Sequence, residues 1–345
     1  MLRHIFSKPY SHLYIVGDNA KWAIDEEAKA LEATARKLGI KVTRTKKVWL
    51  NLPQVVHYTS QFSLLNPKIY KSKHRISLDY FHGKPEQGES FKKCFEALND
   101  HPEIASVRVS TTDMQNTLRQ IVDTKKVHCI PIGIDLGLFR PQTAETRRVA
   151  RERLNLPQDA SVIGSFQKDG VGWGEGLEPK LIKGPDMFIE VVKKLKSEIP
   201  NLWVLLAGPS RGYVMKELEK IGVPYRHAFP AEYSAVSALY DALDLYLITS
   251  REEGGPKACL EAMAKGVPLV TTAVGQCVDL VKNGQNAMMA PIDDLLALSD
   301  SVLQIWRDQS LQKHLAENGL KTAEENSLRN QVLLWKEYFR PLINS

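Results

Sequence analysis

The chain has 345 residues, 43 % of them apolar and 25 % charged, and a formal net charge of +6. That length suits two domains, and the composition is that of an ordinary soluble globular protein. No apolar run approaches the ~20 residues of a membrane span, and the opening segment lacks the apolar stretch of a secretory signal, so a cytoplasmic location is expected.

Charge is uneven along the chain. Residues 1–140 carry 22 Lys/Arg against 14 Asp/Glu, and the remainder 24 against 26. Between Glu32 and Asp79 there is no acid, while ten Lys/Arg fall in the gap. This basic 33–78 region reads either as a solvated face or as an attraction for something anionic: a phosphorylated acceptor, or the inner face of a membrane contacted peripherally. The four cysteines, Cys94, Cys129, Cys259 and Cys277, show no C-x-x-C spacing, which favours buried free thiols in a reducing compartment.

In chain order, "HLYIVG" (12–17) reads as a first strand, and a helical pattern follows to Gly39. "IKVTRT", "VVHYT", "RISLDYF", "SVRVS" and "VHCIPIG" continue the strands, with helices expected over 89–98 and 111–121. Residues 133–160 carry two prolines and a polar helix and read as an interdomain connection. A second series runs through "SVIGSF" (161–166), "LWVLLAG" (202–208), "PYRHAF", "LDLYLI" (243–248) and "VPLVTT" (267–272). Strands alternating with helices argue for two α/β, Rossmann-like units with parallel sheets. The expected domains are 1–145 and 146–326, with a helix over 327–345 crossing back to the first. Ligands of open α/β sheets bind outside the carboxyl ends of the strands, so the site is expected in a cleft between the two sheets.

The stretch "REEGGPKACLEAMAKGVPLV" (251–270) follows the strand "LDLYLI". Pro256 suits a helix start and Gly266 a helix end. Glycines before a helix N-terminus let backbone amides approach an anion, and Lys257 adds a point charge, which reads as a phosphate seat. Glu253 and Glu261 flank it, and carboxylates accept hydrogen bonds from sugar hydroxyls. Together these features suit a nucleotide-sugar, although an ordinary strand–loop–helix with surface acids fits the residues alone.

The same stretch resembles the E-x7-E signature of retaining glycosyltransferases of the GT-B fold, of the family-4 type. "VHCIPIGIDLGLFRP", "LIKGPDMFIEVVKKL" and "LWVLLAGP" resemble further segments of that family, and the likeness runs over roughly residues 105–290. The resemblance implies transfer of a sugar from a nucleotide-diphosphate sugar to an acceptor hydroxyl with retained configuration. It implies that Glu261 bonds the ribose, that Glu253 with Gly254 and Gly255 holds the donor sugar and its diphosphate, and that Lys183 neutralises the departing diphosphate. Two departures stand out. Pro256 replaces a glycine, which removes an amide donor that Lys257 would replace, and the usual arginine after the first strand of the second domain is absent, leaving Lys168 nearest. His82 reads as a structural histidine or, by resemblance, as the group facing the donor sugar. Asp18, Asn19 and Trp22 follow the first strand and are expected on the acceptor side.

"FQKDGVGWGEG" places four glycines at alternate positions from Gly170 to Gly176. It is no G-x-G-x-x-G and reads as a mobile surface loop or as a lid over the donor phosphates. No Asp-x-Asp, H-x-x-x-H or Cys/His cluster occurs, so neither a metal nor another cofactor is expected. Nucleic acid is disfavoured, because the basic stretch lacks aromatic interleaving on a known motif. The acceptor is expected to be a glycan, a lipid-linked molecule or a phosphorylated one. A sugar phosphorylase, a sugar-nucleotide epimerase and a non-catalytic nucleotide-sugar binder remain as alternatives.

Overall fold

The structure, a computed structural model, describes residues 12–17, 23–46, 48, 53–71, 73–101 and 103–343. Asp18, Asn19 and Trp22 lie outside them. The chain divides into two compact units, one of residues 1–132 with 328–345 and the other of residues 133–327.

The first unit is a six-stranded sheet of β1 (His12–Val16), β2 (Lys41–Thr45), β3 (Val55–Tyr58), β4 (Arg75–Asp79), β5 (Ile104–Val109) and β6 (Val127–Cys129), in the order β2-β1-β3-β4-β5-β6. All its pairings are parallel. Parallel strands need covered faces, and apolar clusters supply the cover on each side. Cys94, Phe95 and Leu98 of the helix Glu89–Asp100 pack with Val107 and Val109. Ala28, Leu31 and Ala35 of the helix Ala23–Lys37 join Leu13, Ile15 and Val55 in a second cluster with Trp335, Tyr338, Phe339 and Leu342 of the C-terminal helix Val332–Ile343.

That second face also buries charge. Arg108 is fully buried, donating to Glu27 Oε1 at 2.6 Å and to the carbonyls of Ile130 and Pro131. Its guanidinium lies 4.5 Å from the Trp335 ring centroid. Asp79, at the end of β4, is equally buried, 3.4 Å from His57 and 3.7 Å from Arg108. A charge in this position must be paired to be tolerated, so Asp79 belongs to the interior.

The second unit is a six-stranded parallel sheet of β7 (Ser161–Phe166), β8 (Leu202–Ala207), β9 (Tyr225–Ala228), β10 (Leu245–Ile248), β11 (Leu269–Thr272) and β12 (Met288–Ala290), in the order β12-β11-β10-β7-β8-β9. Its core packs Phe188, Val191, Val192 and Leu195 of the helix Pro185–Leu195 with Val204, Leu206, Leu298 and Val302. The strand order reverses between β7 and β10. In a doubly wound sheet this topological switch point opens a crevice at the carboxyl ends of those two strands.

The division falls after Ile132 rather than at the expected 145/146 junction. The polar helix Ala144–Arg153 is the reason, because it is riveted to the second sheet. Arg151 is fully buried, donating to the carbonyls of Ala242, Gln158 and Ala160 and to Asp244, while Arg147 pairs with the same aspartate. Among the described residues no helix is long and apolar enough to cross a membrane.

Candidate active site

The loops leaving β7 and β10 bring most of the sequence-derived candidates together. Residues 249–256 connect β10 to the helix Lys257–Lys265, which Gly266 closes in the left-handed conformation at φ 69°. Pro256 is the N-cap at φ −64° and ψ 107°, and its carbonyl accepts from Cys259 N–H at 3.0 Å. Proline fits here because the N–H of an N-cap residue lies outside the helix ladder.

Lys183 meets Glu253 at this place. The ammonium Nζ lies 2.6 Å from Glu253 Oε2, and Ser250 Oγ donates to Oε1 at 2.9 Å. Lys183 ends a short 3-10 turn, Leu181–Lys183, and Gly184 follows in the left-handed region at φ 61°. Gly184 has no room for a side chain, since a Cβ would sit 1.9 Å from the Thr249 carbonyl oxygen. The β10 loop is thereby pressed on the lysine turn, and the backbone N–H groups of Arg251 and Glu252 both donate to Ile182 O. On the other side, a Cβ on Gly275 would meet Glu253 O at 2.7 Å and Gly254 O at 2.8 Å. The backbone of Glu253 and Gly254 is held between these two contacts.

Arg251 holds the same junction through its side chain. It forks onto Asp186 at 2.7 Å through both terminal nitrogens, reaches Asp293 through Nε, and donates to Leu181 O. A bidentate guanidinium–carboxylate pair fixes direction as well as distance. Arg251→Ala is therefore expected to lower Tm by about 2–4 °C and to weaken nucleotide binding; an unchanged Tm and affinity would show that the fork does not hold the loop.

Lys168 follows β7, and its ammonium lies 4.2 Å from the Trp173 ring centroid. A third cation was missed from sequence. Lys180 is half-buried, and its pKa is pushed down first by burial and then by Lys183 and Lys168, against the opposing charges of Glu253 and Glu252. The charges of Lys168 and Lys183 are thus felt at Lys180, with Glu253 and Glu252 opposing them. The signal was present in "KLIK": in a 3-10 turn, residues three apart eclipse one another.

Backbone hydrogen bonds tie the glycine-rich loop to itself and to the neighbouring helix. Val171 N–H donates to Glu178 O and Lys180 N–H to Asp169 O, giving a narrow hairpin. Its far side docks on the helix Gly212–Ile221, whose Gly212 and Tyr213 N–H groups donate to the carbonyls of Glu175 and Gly176. Gly170 and Gly176 are required there because a Cβ on either would fall 2.4 Å or less from Ser210 O. At the hairpin base, buried Asp169 pairs with buried Arg211 at 3.0 Å. Two of the four alternating glycines, Gly170 and Gly176, serve close backbone packing, while Gly172 and Gly174 face open space.

Glu261 sits in the first turns of the helix and is only 4 % exposed. Tyr233 donates to its Oε1, and Tyr240 to its Oε2 at 2.8 Å. Burial raises the Glu261 pKa above its ordinary 4.5, offset in part by Lys257 and the two phenols. Lys257 Nζ lies 5.5 Å from the Tyr233 ring centroid. Neither tyrosine was found from sequence, as each is an unremarkable aromatic 28 or 21 residues away.

His82 belongs to the first unit, three residues beyond β4. Its carbonyl accepts from Gln61 Nε2 at 3.0 Å, and its ring stands edge-on to Phe91 with centroids 5.6 Å apart. Gly83 beside it, at φ 96°, packs so closely on Phe91 that a Cβ would overlap the ring. Among the described residues no group of three or more His, Cys, Asp or Glu is arranged to hold a metal ion.

Residues 177–322 match the family model described as Glycosyl transferases group 1. The chain is 29 % identical over 225 residues to a D-inositol 3-phosphate glycosyltransferase of Xylanimonas cellulosilytica, which covers 62 % of this chain and 50 % of that protein. It is 29 % identical over 203 residues to the lipopolysaccharide core biosynthesis mannosyltransferase LpsB of Rhizobium meliloti, covering 56 % and 54 %. The chain thus spans about half the length of the curated relatives it matches. Among solved structures, Anabaena Alr3699/HepE in complex with UDP and glucose aligns with a TM-score of 0.74 at 14 % identity, over 93 % of this chain and 97 % of that one. The fold is of the GT-B class, with two Rossmann-like units.

Proposed function

We propose that this chain is a retaining glycosyltransferase that moves a sugar from a nucleotide-diphosphate sugar to an acceptor hydroxyl. The observation that carries the proposal is the Lys183–Glu253 pair at the switch point of the second sheet, inside the segment matched by the glycosyltransferase family. Lys183, with Lys168 and Lys180 beside it, neutralises the diphosphate as it departs, and a fixed cation where negative charge grows lowers the barrier. The side-chain cations do this without a metal. Glu253 orients Lys183 and accepts from donor-sugar hydroxyls, while Gly254, Gly255 and Lys257 address the diphosphate and Glu261 the ribose. The acceptor attacks from the face the diphosphate leaves, and the departing phosphate takes the proton. By the family resemblance, His82 is assigned to the donor sugar, and Asp18, Asn19 and Trp22 to the acceptor.

The UDP and glucose in the Anabaena structure make UDP the first nucleotide to try. Stabilisation in a thermal-shift series over UDP, GDP and ADP tests the donor site; no response to any nucleoside diphosphate would remove its basis. The pH dependence is also defined. Ribose hydroxyls donate to the ionised carboxylate, so affinity falls as pH drops through the raised pKa of Glu261, above 4.5. Glu261→Gln should bind more weakly at neutral pH and lose that acid limb. A slope that survives the substitution places the titrating group elsewhere.

We further propose that the acceptor is a glycan, or is phosphorylated or lipid-linked, and that the first unit contacts an anionic membrane through its basic 33–78 region. The relatives named for D-inositol 3-phosphate and for lipopolysaccharide core support the acceptor class. The acid-free segment also exposes Phe62 and Leu65, three apart on one 3-10 turn, an apolar edge beside basic charge. Binding to vesicles containing anionic lipid should weaken steeply with salt; equal binding to neutral vesicles contradicts the membrane contact.

A further inference from the structure

We infer that Tyr233 is a specificity-determining gate over Glu261, in which its phenol occupies the carboxylate of the empty site and is displaced by the hydroxyls of a nucleoside ribose. The inference rests on the donor-site reading above, since it needs Glu261 to be the ribose-binding group.

The two tyrosines on Glu261 are not equivalent. Tyr240 is fully buried, edge-on to Phe166 and tilted against Tyr246, and its hydroxyl donates to Oε2. Tyr233 is half-buried on a three-residue 3-10 turn, Tyr233–Ala235, whose neighbours Glu232, Ser234 and Ala235 are exposed. Its ring stands beside Phe139, with centroids 6.1 Å apart, and the Lys257 ammonium lies 5.5 Å from its centroid. One phenol is locked in the core, and the other stands on a short, exposed turn.

Glu261 is 4 % exposed with Tyr233 in place. A ribose therefore reaches the carboxylate by moving the phenol of Tyr233 off Oε1, since Tyr240 is fixed in the core. An ionised carboxylate accepts about four hydrogen bonds, and a buried one is costly when left short of donors. Tyr233 satisfies Glu261 when the site is empty, and a vicinal diol satisfies it when a nucleotide binds. A ligand lacking one of those hydroxyls cannot replace the phenol, so it binds with Tyr233 still on Glu261 and forgoes the carboxylate. The exchange thus discriminates ribose from deoxyribose, because a site built for a hydroxyl penalises its absence.

The test compares UDP, GDP and ADP with their 2′-deoxy counterparts by titration calorimetry on the wild-type chain, Tyr233→Phe and Tyr240→Phe. Removing the competing phenol should tighten binding of the ribonucleotide by about tenfold, with a smaller gain for the deoxy analogue. Tyr240→Phe should weaken the ribonucleotide, because the carboxylate loses its fixed orienting donor. Equal changes for ribo and deoxy ligands, or weaker ribonucleotide binding in Tyr233→Phe, overturn the gate. Nucleotide binding by the wild type that is indifferent to Tyr233 rejects the gate and leaves the donor site standing. Absence of any nucleotide binding removes both. Tm values confirm that each variant is folded, and Tyr233→Leu should repeat the Tyr233→Phe result if ring packing is unimportant.

Discussion

Lys183→Ala is expected to lower kcat with the preferred nucleotide-sugar by about 10²–10³-fold, the loss seen when one group stabilising transition-state charge is removed. Lys183 ends a turn whose backbone is fixed independently of its side chain, by Gln167 donating to its carbonyl and by the left-handed Gly184 that follows. Its side chain is 21 % exposed, so truncation opens no core cavity. The effect should therefore appear in turnover with little change in Tm. Lys183→Arg keeps the charge but spreads it over a planar fork that does not match the single 2.6 Å contact with Glu253, and should recover only part of the rate. Turnover within twofold of the wild type in Lys183→Ala would show that the leaving group is stabilised by something else.

Gly184→Ala should destabilise the second unit by about 2–5 kcal/mol, combining a left-handed backbone with overpacking. The added Cβ would meet the Thr249 carbonyl oxygen at 1.9 Å and its carbon at 2.7 Å. Neither backbone can yield without parting the lysine turn from the β10 loop, because Thr249 Oγ1 also donates to Gly184 O at 2.8 Å. Lys183 and Glu253 sit on opposite sides of this seam, so activity falls with stability. Gly222→Ala is the control. That glycine is also left-handed, at φ 63°, but its added Cβ would meet only the movable Lys196 ammonium, at 3.3 Å, and about 1 kcal/mol is expected. Denaturation midpoints that move equally for the two variants would mean that the close approach at Thr249 carries no energy.

What could be read from sequence follows how local each feature is. Strand and helix alternation survives in short windows, and it placed "SVIGSF" and "LDLYLI" on the two strands that flank the switch point. Lys183 came only from the likeness of "LIKGPDMFIEVVKKL" to a family segment, because nothing local says what that lysine faces. The interdomain junction could not be read, since what ties residues 144–153 to the second unit is Arg151 reaching Asp244, 93 positions on. The strand Met288–Ala290 is too short to show a period of two. The alternating glycines read as a mobile loop or a lid, whereas Gly170 and Gly176 let the hairpin lie against Ser210. Tyr233 and Tyr240 escaped notice for a related reason: nothing in their neighbourhood says that a carboxylate on another element faces them.

Retaining sugar transfer from a nucleotide-diphosphate donor leaves its mark on the anomeric centre of the product. Its most direct test is to incubate the chain with α-linked nucleotide-sugars and a phosphorylated polyol or glycan acceptor, and to read the anomeric coupling constant of the product by proton NMR at the first time points. Retaining transfer releases a nucleoside diphosphate together with an α-linked product, both lost in Lys183→Ala. A β-linked product, or an α-linked one formed unchanged by the variant, would contradict it.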